Sequence, residues 1–280
     1  MHIFGKVVEA CRYLDPWSNE TPNSSITSEE QRTYESMIRP TRKNIIDMLL
    51  KLSTNHQIQH GNNIIIYFSG HGSTYSCSDI YPAGSIADTG AIEALCPMDC
   101  TPSDSSHIST PDISDHEFNI ILAEISRTKG HHITCILDYC HSLGVTRVPN
   151  TQRYQGRSAK PLLPTPSSCK DMLDAGHSRL KDLESYHDIY NGNWRSDMTS
   201  HIILAACQSH ELAKEDDRID GCSGIFTHML LEALRSDRLE AGSTYYGLLK
   251  AIQMPQNTKQ TPIAAGEHMD VQLWYQNSDV

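Results

Sequence analysis

The 280-residue chain has little that marks it for export or for a membrane. Its start, Met1-His2-Ile3-Phe4-Gly5-Lys6, lacks the apolar core of a signal peptide. No apolar run nears the ~18–20 residues that cross a bilayer. Basic charge is scarce: 23 Lys and Arg stand against 34 Asp and Glu, a formal net charge of −11. That balance excludes the basic footprint of a nucleic-acid binder and gives no attraction to an anionic membrane. The cysteines are scattered, the nearest two being Cys96 and Cys100. The nine cysteines are odd in number, and Cys135 and Cys207 lie inside apolar runs, where a reduced thiol behaves as a small hydrophobe. A reducing, cytoplasmic setting is the expectation. Cys96-x-x-x-Cys100 has no matching pair at a useful spacing, and zinc ribbons prefer two-residue gaps, so no metal and no other cofactor is expected. There are no internal repeats and no low-complexity tract.

What is present is a set of short apolar runs. The length fits one α/β domain with a sizeable core. Asn63 to Phe68, Ile133 to Leu137 and Ile202 to Cys207 each read as a buried strand of a parallel sheet. The spacing predicts helices over 3–14, over 42–53 with Thr41 as cap, and over 115–128 with Ser114 and Glu117 as a capping box. Two more follow over 225–235, with Ile225, Met229, Leu230 and Leu234 inward, and over 244–253. Val271 to Trp274 reads as a last strand. Residues 73–113 read as a long irregular loop and 143–200 as a polar, proline-bearing linker. The order implies a doubly wound, mostly parallel sheet with helices on both faces.

Two of the strand runs end in reactive residues, where sites of open α/β sheets gather. Ser69-Gly70-His71-Gly72 follows the first, and Asp138-Tyr139-Cys140-His141-Ser142 follows the second. On parallel neighbouring strands, His71 and Cys140 emerge at one sheet edge. A cysteine nucleophile needs a nearby base or a lowered pKa, and a histidine there also serves to protonate a leaving amine. The plain alternatives are a buried structural thiol and a hydrogen-bonded loop histidine.

These two motifs, each after a strand and in this order, resemble the caspase-like cysteine peptidases. The likeness is greatest to metacaspases and related fungal caspase-domain proteins, over about residues 5–275. The resemblance implies a Cys140/His71 dyad and an oxyanion hole from the N–H groups of Gly72 and Cys140. It implies a specificity pocket lined by Asp138 and Ser69. A further pocket position falls on Glu9 of Gly5-Lys6-Val7-Val8-Glu9, where Lys6 replaces the family's cysteine. A carboxylate pocket favours peptides cut after Arg or Lys.

The same plan divides the chain into a large-subunit-like part (1–142), the linker and a small-subunit-like part (201–280). It implies a first strand ahead of the helix at 3–14, for which Met1 leaves no room, so either the chain is truncated or the sheet lacks that strand. Calcium activation in relatives uses an Asp seven residues past the nucleophile; this chain has Arg147 there, and Asp99 has no acid beside it. The expected partners are peptide or protein substrates, with self-association or signalling partners left open. The rival expectation is a non-catalytic caspase-like adaptor in a signalling or cell-death assembly.

Overall fold

The protein is described by a computed structural model over residues 39–76, 80–83, 91–100, 110–139, 155–156, 166–208, 211–216 and 223–276. Helix α1 (Arg42–Thr54) starts where Thr41 Oγ1 accepts the Asn44 N–H at 3.3 Å and Asp99 Oδ1 accepts the Arg42 N–H at 2.8 Å. A turn at Gly61 leads into β1 (Ile64–Ser69), and β2 (His71–Ser76) follows at once. Next come β3 (Ala91–Cys96), β4 (Ile113–Ser114), α2 (Asp115–Lys129) and β5 (Ile133–Asp138). Then follow β6 (Gln155–Gly156), α3 (Pro166–Leu180), β7 (Ile202–Ala205), β8 (Lys214–Asp216) and β9 (Ser223–Gly224). The chain closes with α4 (Ile225–Arg235), α5 (Tyr245–Ala251) and β10 (Ile263–Ala265).

The central sheet has the order β1-β5-β7-β10. The first three strands are parallel and β10 is antiparallel to β7. Alternation along each strand sorts side chains to two faces. Ile64, Ile66, Phe68, Ile133, Cys135 and Leu137 join one apolar cluster with α1, α2 and α3. Ile136, Ile202 and Leu204 join the other, with α4 and α5. All six residues of β5 are buried, as an apolar run between two helical layers should be. Each fully buried aliphatic side chain of this kind contributes roughly 1.5–3 kcal/mol.

The level start of β1 and β5 comes from two glycines. Gly130 ends α2 at φ +89°, and its N–H donates to Ser126 O at 2.8 Å. The Gly61 N–H, at φ +81°, donates to Lys129 O at 2.7 Å. Each strand then begins three residues on, and the ladder runs from Ile64↔Ile133 to Ser69↔Asp138, a constant separation of 69 positions.

Several sequence expectations change. Residues 73–113 are not one irregular loop: β2, β3 and β4 form a second, antiparallel sheet. The stretch 143–200 is not all linker either. From Pro166 it is helix and turns, with Cys169, Met172, Leu173, Leu180, Ile189 and Trp194 buried. Val271 to Trp274 is no strand; Leu273–Tyr275 is a 3₁₀ turn, and the final strand is β10. On α4, Phe226 and Ala233 are buried while Met229 and Leu234 are only half-buried. The capping box on α2 is half formed. Ser114 Oγ accepts the Glu117 N–H at 3.1 Å, but the Glu117 carboxylate goes instead to Arg42 Nη2 at 2.5 Å. The helix expected over 3–14 lies outside the described residues.

Candidate active site

The β1–β5 ladder brings Ser69 directly beside Asp138, with their side chains on the face covered by α4. The Gly70 N–H donates to Asp138 O at 3.4 Å as the ladder ends. His71 follows as the first residue of β2, half-buried, opposite Cys96 of β3; Gly72 is buried opposite Leu95. The chain therefore leaves one sheet and enters the other across Gly70. A Cβ at Gly70 would lie 3.1 Å from the Phe68 ring, so the small residue lets the strand turn tightly over that ring.

Asp138 is 0% exposed. Its Oδ2 accepts the Thr227 hydroxyl at 2.5 Å and the Thr227 N–H at 3.2 Å, and Tyr67 OH lies 3.0 Å from the same hydroxyl. Thr227 is in the first turn of α4, whose N-cap, Gly224, brings no side-chain hydrogen bond. Asp138 thus supplies from a neighbouring strand the oxygen that a serine or aspartate cap would provide, at the positive end of the helix. Sequence reasoning missed Thr227 and Tyr67. The available signal was a helix starting after glycine with no capping side chain of its own.

The approach to Cys140 is also anchored. Tyr139 is buried, packs edge-on to Phe68 with ring centroids 5.8 Å apart, and its carbonyl accepts from Cys207 Sγ at 3.8 Å. The Ala206 N–H donates to Leu137 O at 2.9 Å, tying the end of β7 to the end of β5. Cys140, Glu9 and Arg147 lie outside the described residues. The 69 positions from His71 to Cys140 equal the ladder's separation.

On the opposite face of the sheet lies a cavity of about 190 Å³, whose lining includes Glu93, Asp115, Tyr139 and His201. Burial pushes Glu93 up to about 7. Burial and then the charge of Glu93 push Asp115 up to about 7, moderated by the 38% of its side chain that reaches solvent. Burial pushes His201 down to about 4; its Nδ1 is 2.7 Å from Ser200 Oγ. Among the described residues no three His, Cys, Asp or Glu side chains converge as a metal site. No described helix is long and apolar enough to cross a membrane.

The sequence profile of the metacaspase, peptidase C14 domain matches residues 9–149, half of the chain and both strand-end motifs. The chain belongs to the metacaspase family. Its mostly parallel, helix-flanked sheet is the caspase-like fold, and its family is one of peptidases. No protein of curated function matches this metacaspase domain. A solved structure, protein GSU0716 from Geobacter sulfurreducens, shares 20% identity over 81% of this chain and 74% of its own, with a TM-score of 0.48.

Proposed function

We propose that this metacaspase domain is a cysteine endopeptidase that cleaves after Arg or Lys. Cys140 Sγ attacks the scissile carbonyl, His71 protonates the leaving amine, and the N–H groups of Gly72 and Cys140 hold the oxyanion. Water, deprotonated by His71, then hydrolyses the thioester. The observation that carries the reading is the in-register parallel pairing of β1 and β5, because it ends both site strands at one level, with His71 and Cys140 each two residues beyond. One oxyanion-hole donor is worth about 2.7–4 kcal/mol in a hydrolase.

Specificity rests on Asp138 with Ser69 beside it, and on Glu9 as the resemblance implies. A buried carboxylate welcomes a cationic guest and repels an acidic one at a cost of several kcal/mol. Each 1.36 kcal/mol is tenfold in rate, so kcat/KM should favour an Arg-ending peptide over its Asp-ending twin by at least ~100-fold. The test is turnover of paired fluorogenic peptides by the wild type, Cys140→Ala, His71→Ala and Asp138→Asn. Both dyad variants should lose turnover while keeping the fold, and Asp138→Asn should erode the Arg preference. Full activity in either dyad variant, or faster cutting after Asp, overturns the proposal.

A further inference from the structure

The end of β3 and the turn that follows it hold two cysteines, Cys96 and Cys100, that the proposed chemistry does not use. The Cys100 N–H donates to Pro97 O at 3.2 Å, and the Met98 N–H to Pro40 O at 3.0 Å, so the turn is folded back and tied to the residues before α1. It brings Cys100 back against Cys96, near enough for each thiol to act on the other's ionisation. Both are free thiols and both are half-buried, within reach of a small solute. The Cys96 thiol donates to Asp112 Oδ2, at 3.5 Å. Buried Asp112 also accepts from Ser73 Oγ and from Tyr75 OH, at 2.8 Å for the latter.

This cluster sits on the strand that starts with His71. Cross-strand partners share a face, and their Cβ atoms lie about 4.5–5.5 Å apart. Since His71 pairs with Cys96, and Ser73 and Tyr75 alternate with it along β2, all four side chains face the Asp112 side of the hairpin. The Cys96 hydrogen bond holds the Cys100 thiol below its ordinary value, while the Cys100 sulfur and then burial hold that of Cys96 above it. That direction suits Cys100 to attack and Cys96 to resolve.

We propose that Cys96 and Cys100 are a peroxide-reactive dithiol that closes reversibly to a disulfide and thereby shifts His71. The Cys100 thiolate attacks the O–O bond of a hydroperoxide; a sulfenic acid forms, and the alcohol or water leaves. The Cys96 sulfur displaces the sulfenic hydroxyl, which departs as water with the Cys96 proton. Two thiols lose two electrons and two protons, and the peroxide is reduced to water and an alcohol, or to two waters. Closure removes the Cys96 donor from Asp112 and ties the turn to the residue that pairs with His71. The turn Pro97–Cys100 folds Cys100 back toward Cys96, the residue just before it, and a disulfide between them needs a Cα spacing of about 4.4–6.8 Å.

The experiment uses the full chain as Cys140→Ala, so that neither readout depends on peptidase activity. Hydrogen peroxide is added, remaining thiols are alkylated, and mass spectrometry maps the linkage. Peroxide should lower the alkylatable thiols by two, with a Cys96–Cys100 linkage that dithiothreitol reverses. Adding Cys96→Ser or Cys100→Ser should each abolish it, the two variants guarding against a fold defect in either one. The His71 ring resonance should move between the reduced and oxidised forms. Linkage through another pair, irreversible acids without linkage, or an unmoved His71 signal overturns the inference. None of these outcomes bears on whether Cys140 is a nucleophile.

Discussion

Asp138 carries two loads. It terminates the strand that leads to Cys140, and it caps α4 through Thr227. A hydrogen bond to a buried charged group contributes about 1.5–3 kcal/mol. Thr227→Val should therefore lower stability by about that much, whereas Thr227→Ser should keep most of it; chemical denaturation of the three proteins measures the difference. A Val variant as stable as wild type would mean that the hydroxyl adds nothing to the cap made by the Thr227 N–H. At this scale the strand-end positions were readable. Ser69, His71 and Asp138 could be picked out because reactive residues interrupt apolar runs at a strand end. Thr227 could not, because its importance comes from a contact across 89 positions. His132 is a second such case, buried with Nδ1 2.8 Å from Gly61 O, a contact across 71 positions.

Elements were legible where apolar spacing was dense. Helices α1, α2, α4 and α5 and strands β1, β5 and β7 announce themselves in this way. The hairpin did not: His71-Gly-Ser-Thr-Tyr-Ser76 is short, small and polar, and it is held by the Asp112 hydrogen bonds rather than by an apolar stripe. Helix α3 was hidden by its sparse apolar residues and by Gly176, which lets it approach α2; a Cβ there would lie 3.3 Å from Glu117 Cβ. The last strand was misplaced because Ile263–Ala265 is too short to show a pattern, while Val271–Trp274 alternates without pairing as a strand. Gly130 tests how tightly one element sets the next. Its φ of +89° with ψ 167° is glycine territory, worth about 1–3 kcal/mol against any other residue. A Cβ there also meets Gly61 N at 3.3 Å, whereas Gly242, at φ +94°, has open space around it. Gly130→Ala should lower the urea midpoint more than Gly242→Ala does. Equal losses would mean that only local strain, and not the Gly61 contact, matters.

Across the whole molecule, opposed sets of buried groups shape the response to pH. Burial raises Glu93, Asp115 and Glu117 to about 7, the last against the pull of Arg42. A carboxyl raised in the folded state contributes stability that is complete below its unfolded value, near 4, and is lost as pH climbs through 7. Burial lowers His116 and His201 to about 4, so their contribution is complete above about 6.5 and lost as pH falls through 4. The two sets offset each other between pH 4 and 7. Glu93→Gln removes one carboxyl, so stability relative to wild type should improve from pH 5 to pH 8 by roughly 1–2 kcal/mol, allowing for the solvent that reaches this side chain. Thermal melts across that range provide the check, and a pH-independent offset would contradict it. The constant ladder separation of 69 has a further consequence, for folding and for sequence drift. Pairing β1 with β5 closes a loop of that size, an entropy cost of about 4 kcal/mol, and doubling the loop would add only about 0.6 kcal/mol. Such non-local pairing makes for slow folding. It also leaves the connecting chain almost free to lengthen, provided that each reactive residue keeps its distance from the end of its own strand.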